Sequence, residues 1–149
     1  MCAPGREVRY AVFEESDCPA GPETFIELAK QASIEAFGED RVSLIVRTRK
    51  GYHIYLDMWA PSYFEALLLS ARFRNCLPCA CREYKHVALA TEYFMKTKWE
   101  RFVLRVSPTK YVEDRFEIIY FREPEDACHR DFIRSVMSLY GGIYVGVVG

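Results

Sequence analysis

Residues 42–58, VSLIVRTRKGYHIYLDM, decide how this chain folds. An apolar run climbs into Arg-Thr-Arg-Lys-Gly and descends through Tyr-His-Ile-Tyr-Leu, which reads as two antiparallel strands around a short glycine-containing turn. A three-residue loop, Arg49-Lys50-Gly51 with Gly51 left-handed, would pair Thr48 with Tyr52, Val46 with Ile54 and Leu44 with Leu56. That face is apolar and suits a core. The other face would pair Arg47 with His53, Ile45 with Tyr55 and Ser43 with Asp57. A Lys50-Gly51 loop would pair Thr48 with His53 and Arg47 with Ile54, mixing polar and apolar residues on one face. The first register divides the faces better, and it predicts that Arg47, His53 and Tyr55 project outward together, with Arg49 and Lys50 at the turn.

Outward from the hairpin, the pattern continues as alternating elements. Val8 to Phe13 predicts a strand ending in the acidic cluster Glu14, Glu15 and Asp17. Pro19-Ala-Gly-Pro22 breaks it, and a helix follows over 23–37, with Phe25, Leu28, Ala29, Ala32 and Ala36 at helical spacing and Gly38 as its C-cap. Pro61 opens a second helix whose buried stripe is Tyr63, Phe64, Leu67, Leu68 and Ala71. Strands are expected over 86–95, 101–107 and 115–121. A third helix spans 126–140, with Phe132, Ile133, Val136, Met137 and Tyr140 on one face, stopped by Gly141-Gly142. The tail IYVGVV could add an edge strand.

The order β-α-β-β-α-β-β-β-α predicts an α+β fold of ferredoxin-like or RRM-like type. Its sheet is mainly antiparallel, with helices on one face and the other face partly free. A length of 149 residues without repeats or low-complexity linkers fits a single domain, 1–149. Half the residues are hydrophobic, which argues against disorder.

Charge is unevenly spread. Residues 1–46 carry 4 Lys/Arg against 9 Asp/Glu, residues 47–115 carry 13 against 7, and residues 116–149 carry 3 against 5. A basic middle between acidic ends favours a positive surface for phosphates, unless folding mixes the segments again. No apolar run reaches membrane-span length, and MCAPGREVRY lacks a signal-peptide core, so the expected location is the cytoplasm, with no membrane partner. For six cysteines without such a signal a disulfide framework is not the default, an intracellular protein of a hyperthermophile being the exception. Cys76, Cys79 and Cys81 with His86 form a candidate zinc set, with Cys128-His129 as an alternative distant pair; buried thiols acting as small hydrophobes are the plainer reading.

On the hairpin's outward face, cations suit phosphate and a tyrosine suits a stacked base or ribose; an ordinary solvated hairpin would show the same residue types. The acidic cluster equally suits the positive end of the following helix.

The segment T-R-K-G-Y-H-I-Y-L, residues 48–56, resembles the second motif of the archaeo-eukaryotic primase superfamily. There a Ser/Thr- and Gly-rich hairpin leads into a strand carrying a histidine, on an RRM-like sheet. The resemblance extends over roughly residues 8–120. It implies that His53 contacts nucleotide phosphates and that Glu15-Ser16-Asp17 matches the first motif, two carboxylates one residue apart that bind divalent metal. It also implies that Glu83 or Glu92 supplies a third carboxylate.

Glu-Ser-Asp stands where the family has two aspartates, so the implied protein is a nucleic-acid-binding, primase-like domain without efficient polymerase activity. It would engage DNA in preference to RNA, in a setting such as DNA replication, through Arg47, Arg49, Lys50, His53, Tyr55, Lys96, Lys98, Arg101 and Arg105. The alternatives are an active nucleotidyltransferase using Glu15, Asp17 and His53 with magnesium or manganese, and a non-catalytic protein-interaction subunit or homo-oligomer binding a partner through the tail GGIYVGVVG or the open sheet face.

Overall fold

The structure, a computed structural model, describes residues 10–78 and 116–139. In chain order these form β1 (Tyr10–Ser16), α1 (Pro22–Phe37), β2 (Val42–Arg47), β3 (Tyr52–Ala60), α2 (Tyr63–Arg74), β4 (Glu117–Phe121) and α3 (Ala127–Leu139). The four strands make one antiparallel sheet in the order β1-β3-β2-β4. The fold is therefore α+β, as the element pattern implies. The expected strands at 86–95 and 101–107 and the tail strand lie outside the described residues.

Local chemistry sets the helix ends. α1 starts at Pro22, whose fixed φ and missing N–H suit the first helical position. It ends at Gly38, which takes φ 81° and donates its N–H to the Ile34 carbonyl at 2.8 Å. α2 starts two residues after Pro61: Ser62 caps it by accepting the Glu65 N–H at 3.2 Å and donates its hydroxyl to the Glu65 carboxylate at 2.9 Å. Asp126 caps α3 by accepting the His129 N–H at 2.8 Å.

The hairpin takes neither anticipated register. Arg47 pairs with Tyr52, Val46 with His53, Ile45 with Ile54 and Leu44 with Tyr55. The turn is Arg49-Lys50, closed by the Thr48 N–H on the Gly51 carbonyl at 2.8 Å and the Gly51 N–H on Thr48 Oγ1 at 3.0 Å. A one-residue slip sends every side chain of the slipped strand to the other face. β3 keeps its expected faces, but β2 turns over. Ile45 joins Tyr52, Ile54 and Leu56 beneath α1 and α2, while Leu44 and Val46 join Tyr55 on the opposite side. A bulge at Ser43 returns Val42 to the α1/α2 side, and the Ser43 hydroxyl bonds the Arg122 carbonyl at 2.8 Å.

Both faces are covered, which corrects the expectation of a partly open sheet. α1 and α2 lie on one face, where Phe25, Ala29, Ala32 and Phe73 meet Ile45, Ile54 and Leu56. α3 covers the other with Ile133, Val136 and Phe132 against Leu44, Val46, Tyr55 and Ile118. A third helix has to bury its apolar stripe somewhere, and the second sheet face is the surface that receives it.

α2 is also rotated from the anticipated stripe. Tyr63, Ala66, Ser70, Phe73 and Arg74 are buried, while Phe64 and Leu68 face outward. The rotation follows from two polar side chains, Ser70 and Arg74, that find a buried partner on β1.

α3 is anchored at its start by His129, which is 1% exposed. The imidazole lies 4.3 Å from the Trp59 ring, centroid to centroid, and Nδ1 is 4.0 Å from an Asp57 carboxylate oxygen. Among the described residues neither ring nitrogen makes a hydrogen bond of good geometry. Burial pushes its pKa below the ordinary 6.5, and Asp57, Asp126 and the Leu56 backbone offset part of that. The unfolded chain thus takes up this proton at a higher pH than the folded one. The stability associated with neutral His129 is complete above about pH 6.5 and is lost as pH falls below it toward the folded-state value. Thermal unfolding between pH 7.5 and 5.5 should show a fall that His129→Leu flattens; an unchanged pH profile in the variant would assign the fall to other groups.

Candidate functional site at the hairpin end of the sheet

The β1–β3 ladder brings the candidate residues to one end of the sheet. Glu15 pairs with His53 and Ser16 with Tyr52, so Glu15 and His53 are direct cross-strand neighbours. Two residues after Glu15, Asp17 follows the end of β1. Gly51 packs against this point: a Cβ on it would lie 1.9 Å from the Ser16 carbonyl oxygen and 2.9 Å from the Asp17 Cα. The close approach ties the Arg49-Lys50 turn to the acidic end of β1. Gly51 does not have a positive φ; Gly38 is the positive-φ glycine among the described residues. Space, not backbone handedness, requires glycine at position 51.

β1 runs through Ser16 rather than ending at Phe13, and its alternation splits the acidic cluster. Glu14 points to the α2 side. It is 5% exposed, and one carboxylate oxygen accepts Arg74 Nη1 at 2.9 Å and the Ser70 hydroxyl at 2.8 Å. Its other oxygen accepts the Glu15 N–H at 2.8 Å. Ser70 also bonds the Phe13 carbonyl at 2.6 Å. α2 therefore grips the backbone of β1 immediately before Glu15. Sequence reasoning missed this network; its signal was a serine and an arginine one helical turn apart inside an otherwise apolar stripe.

Several outward assignments need correction. Tyr55 is 4% exposed and sits between Phe13 and Phe132, with ring centroids 5.5 and 6.5 Å away, so no base can stack on it. His53 is 5% exposed, with the Phe116 ring 6.1 Å away. Arg47 is exposed but belongs to the opposite face, paired with Tyr52 and, across β4, with Glu117. Burial raises the Tyr52 phenol pKa, and the Arg47 charge lowers it in part. The slipped register moves Arg47 to the other face, whereas Tyr55 and His53 keep their expected face and are buried there, Tyr55 by Phe132 of α3 and His53 beside Phe116. Arg49 and Lys50 remain exposed at the turn.

Lys96, Lys98, Arg101 and Arg105, the third-carboxylate candidates Glu83 and Glu92, and the zinc candidates Cys79, Cys81 and His86 lie outside the described residues. Cys76 is half-buried and free. Cys18 and Cys128 each take part in a disulfide bond, the exception to the default for cysteines without a secretion signal, which leaves Cys128 without a thiolate for the alternative zinc pair. Among the described residues no group of three or more His, Cys, Asp or Glu is placed to hold a metal ion. Glu15, Asp17 and His53 thus do not constitute a metal centre by themselves. No helix among the described residues is long and apolar enough to cross a membrane.

Compared with known proteins, the chain matches no family model, no curated protein and no solved structure.

Proposed function

We propose that this is a nucleic-acid-binding domain resembling a primase palm, which engages backbone phosphates at the hairpin end of its sheet, with DNA favoured over RNA. The observation that carries the reading is the juxtaposition of the exposed Arg49-Lys50 turn with the Glu15–His53 cross-strand pair, through the close contact of Gly51 with Ser16 and Asp17. Arg47 is exposed at the same end of the hairpin, so three cations surround one edge. Phosphate recognition needs cations that approach without desolvating completely, and a turn presents them that way.

The fold supports the same reading. β1 and β2 flank β3, with α1 crossing between them and α2 on the same face, as in a ferredoxin-like or RRM-like split β-α-β. β4 lies beside β2 and extends the sheet away from β1.

The test is a titration of labelled single-stranded and primed DNA at several salt concentrations. Affinity should fall steeply with salt, and Arg49→Ala/Lys50→Ala should weaken binding on all sequences while reducing the log–log salt slope by about 2. Binding that stays weaker than micromolar at low salt, or that ignores the double substitution, removes the hairpin from consideration.

A second reading, a metal-dependent nucleotidyltransferase, is favoured by the Glu15–His53 register. It requires a further carboxylate from beyond the described residues. Labelled-nucleotide incorporation that is abolished by Glu15→Ala and Asp17→Ala, with DNA binding retained, would select it.

A further inference from the structure

We propose that two copies of this chain pair through the outer face of α2, antiparallel and related by a two-fold axis near Leu68. Phe64 is 65% exposed and Leu68 53% exposed, and they lie one helical turn apart. Glu65, Arg72 and the C-cap Asn75 are exposed as well, and helical spacing places all five on one stripe, turned away from the buried side of Tyr63, Ala66, Ser70, Phe73 and Arg74.

Large side chains at this exposure on successive turns of one helix form an apolar strip bordered by charge. The charges choose the occupant and its direction. Glu65 stands near the start of the helix and Arg72 near its end. A parallel copy would set Glu65 against Glu65 and Arg72 against Arg72. An antiparallel copy centred on Leu68 sets Leu68 against Leu68, Phe64 against Arg72 of the second copy, and Glu65 within reach of that same guanidinium. The contact is self-complementary, as a two-fold interface must be. Within its own chain the Arg72 guanidinium lies over the Phe37 ring at 5.8 Å. One helix face is a small area, and the dimer is accordingly weak and concentration-dependent.

Sedimentation velocity of the full chain over a concentration series at low salt tests this. A monomer–dimer equilibrium is expected, and Leu68→Glu should leave monomer at every concentration. Glu65→Arg and Arg72→Glu should each weaken association by about fivefold or more, because each creates a like-charge contact, whereas Glu65→Arg/Arg72→Glu restores it to within about twofold. All three positions are exposed, so the variants keep the fold. A chain that stays monomeric at millimolar concentration, a dimer that survives Leu68→Glu, or a double charge exchange that fails to restore association overturns the proposal. Monomer with this face bound instead by another protein, or by the chain's own residues, is one of those overturning outcomes.

Discussion

Gly51→Ala should unfold much of what makes the hairpin end a site. The new Cβ would meet the Ser16 carbonyl oxygen at 1.9 Å, the Ser16 carbonyl carbon at 2.8 Å and the Asp17 Cα at 2.9 Å. All three are backbone atoms at the end of β1 and just beyond it, so no side chain can rotate away. Relief requires the turn and β1 to separate, which breaks the Ser16–Tyr52 pairing and draws Glu15 away from His53. Overpacking against rigid neighbours costs about 3 kcal/mol or more. For a chain of this length that lowers the melting temperature by roughly 6–12 °C. Gly21→Ser is the matched control. Nothing lies within 4 Å of a Cβ at Gly21, and the serine hydroxyl can cap α1, so no loss is expected. Thermal unfolding of both variants decides it; a Gly51→Ala protein as stable as the parent would mean that the turn does not sit against Ser16. DNA affinity should fall in Gly51→Ala even below its melting temperature, since Arg49 and Lys50 lose their fixed position beside Asp17.

The second large effect is at Arg74. Its guanidinium is held 2.9 Å from Glu14, and the side chains are 3% and 6% exposed. Arg74→Met leaves a buried carboxylate without its counter-charge, and breaking such a pair from one side costs about 3–5 kcal/mol. Removing both charges is a different matter. In Glu14→Leu/Arg74→Met no ion remains to be desolvated, Ser70 keeps the Phe13 carbonyl as acceptor, and the Glu15 N–H loses its carboxylate partner. The double variant should therefore recover all but roughly 1–2 kcal/mol of the loss. Chemical denaturation of the two single variants and the double variant closes the cycle. Additive losses would show that the pair is not coupled.

The two variants act on one piece of architecture from opposite sides. Gly51 fixes the turn to the end of β1 from the β3 side, and Arg74 grips β1 through Glu14 from the α2 side. Between them, the position of Glu15 opposite His53 is determined by packing and by a buried ion pair. A nucleic-acid or nucleotide site built there would inherit that rigidity.

The α+β class, the hairpin, the helix from Pro22 to Gly38 and the helix near 127–139 were all legible in the sequence, because each is marked by local chemistry: Pro at the start of α1, Gly38 beyond its end, alternation or helical spacing between. The resemblance of residues 48–56 and of Glu-Ser-Asp singled out Glu15, Asp17 and His53, but that Glu15 lies opposite His53 depends on the β1–β3 register, which no local signal gives. Which side chains are reachable was not legible. Tyr55 and His53 read as outward because the other face of the hairpin was wholly apolar, and the strand pattern alone does not say that Phe132 will pack on Tyr55 and Phe116 beside His53. Register was the weakest inference. Three turns, Arg49-Lys50-Gly51, Lys50-Gly51 and Arg49-Lys50, are all chemically reasonable, and what selects among them is the fit of Gly51 against Ser16 together with the apolar demand of α3 for Leu44 and Val46. The buried stripe of α2 was misplaced for a related reason. Hydrophobicity favoured Phe64 and Leu68, but Glu14 on a distant strand needed Ser70 and Arg74 inside.

By itself, then, the sequence determined the described helices and the presence of the hairpin, since capping, turn formation and periodicity act within a few residues. Tertiary structure decided the register, the buried side of α2 and the covering of the second sheet face. Those depend on contacts between segments tens of residues apart, where one buried carboxylate or one glycine-sized gap outweighs local preference.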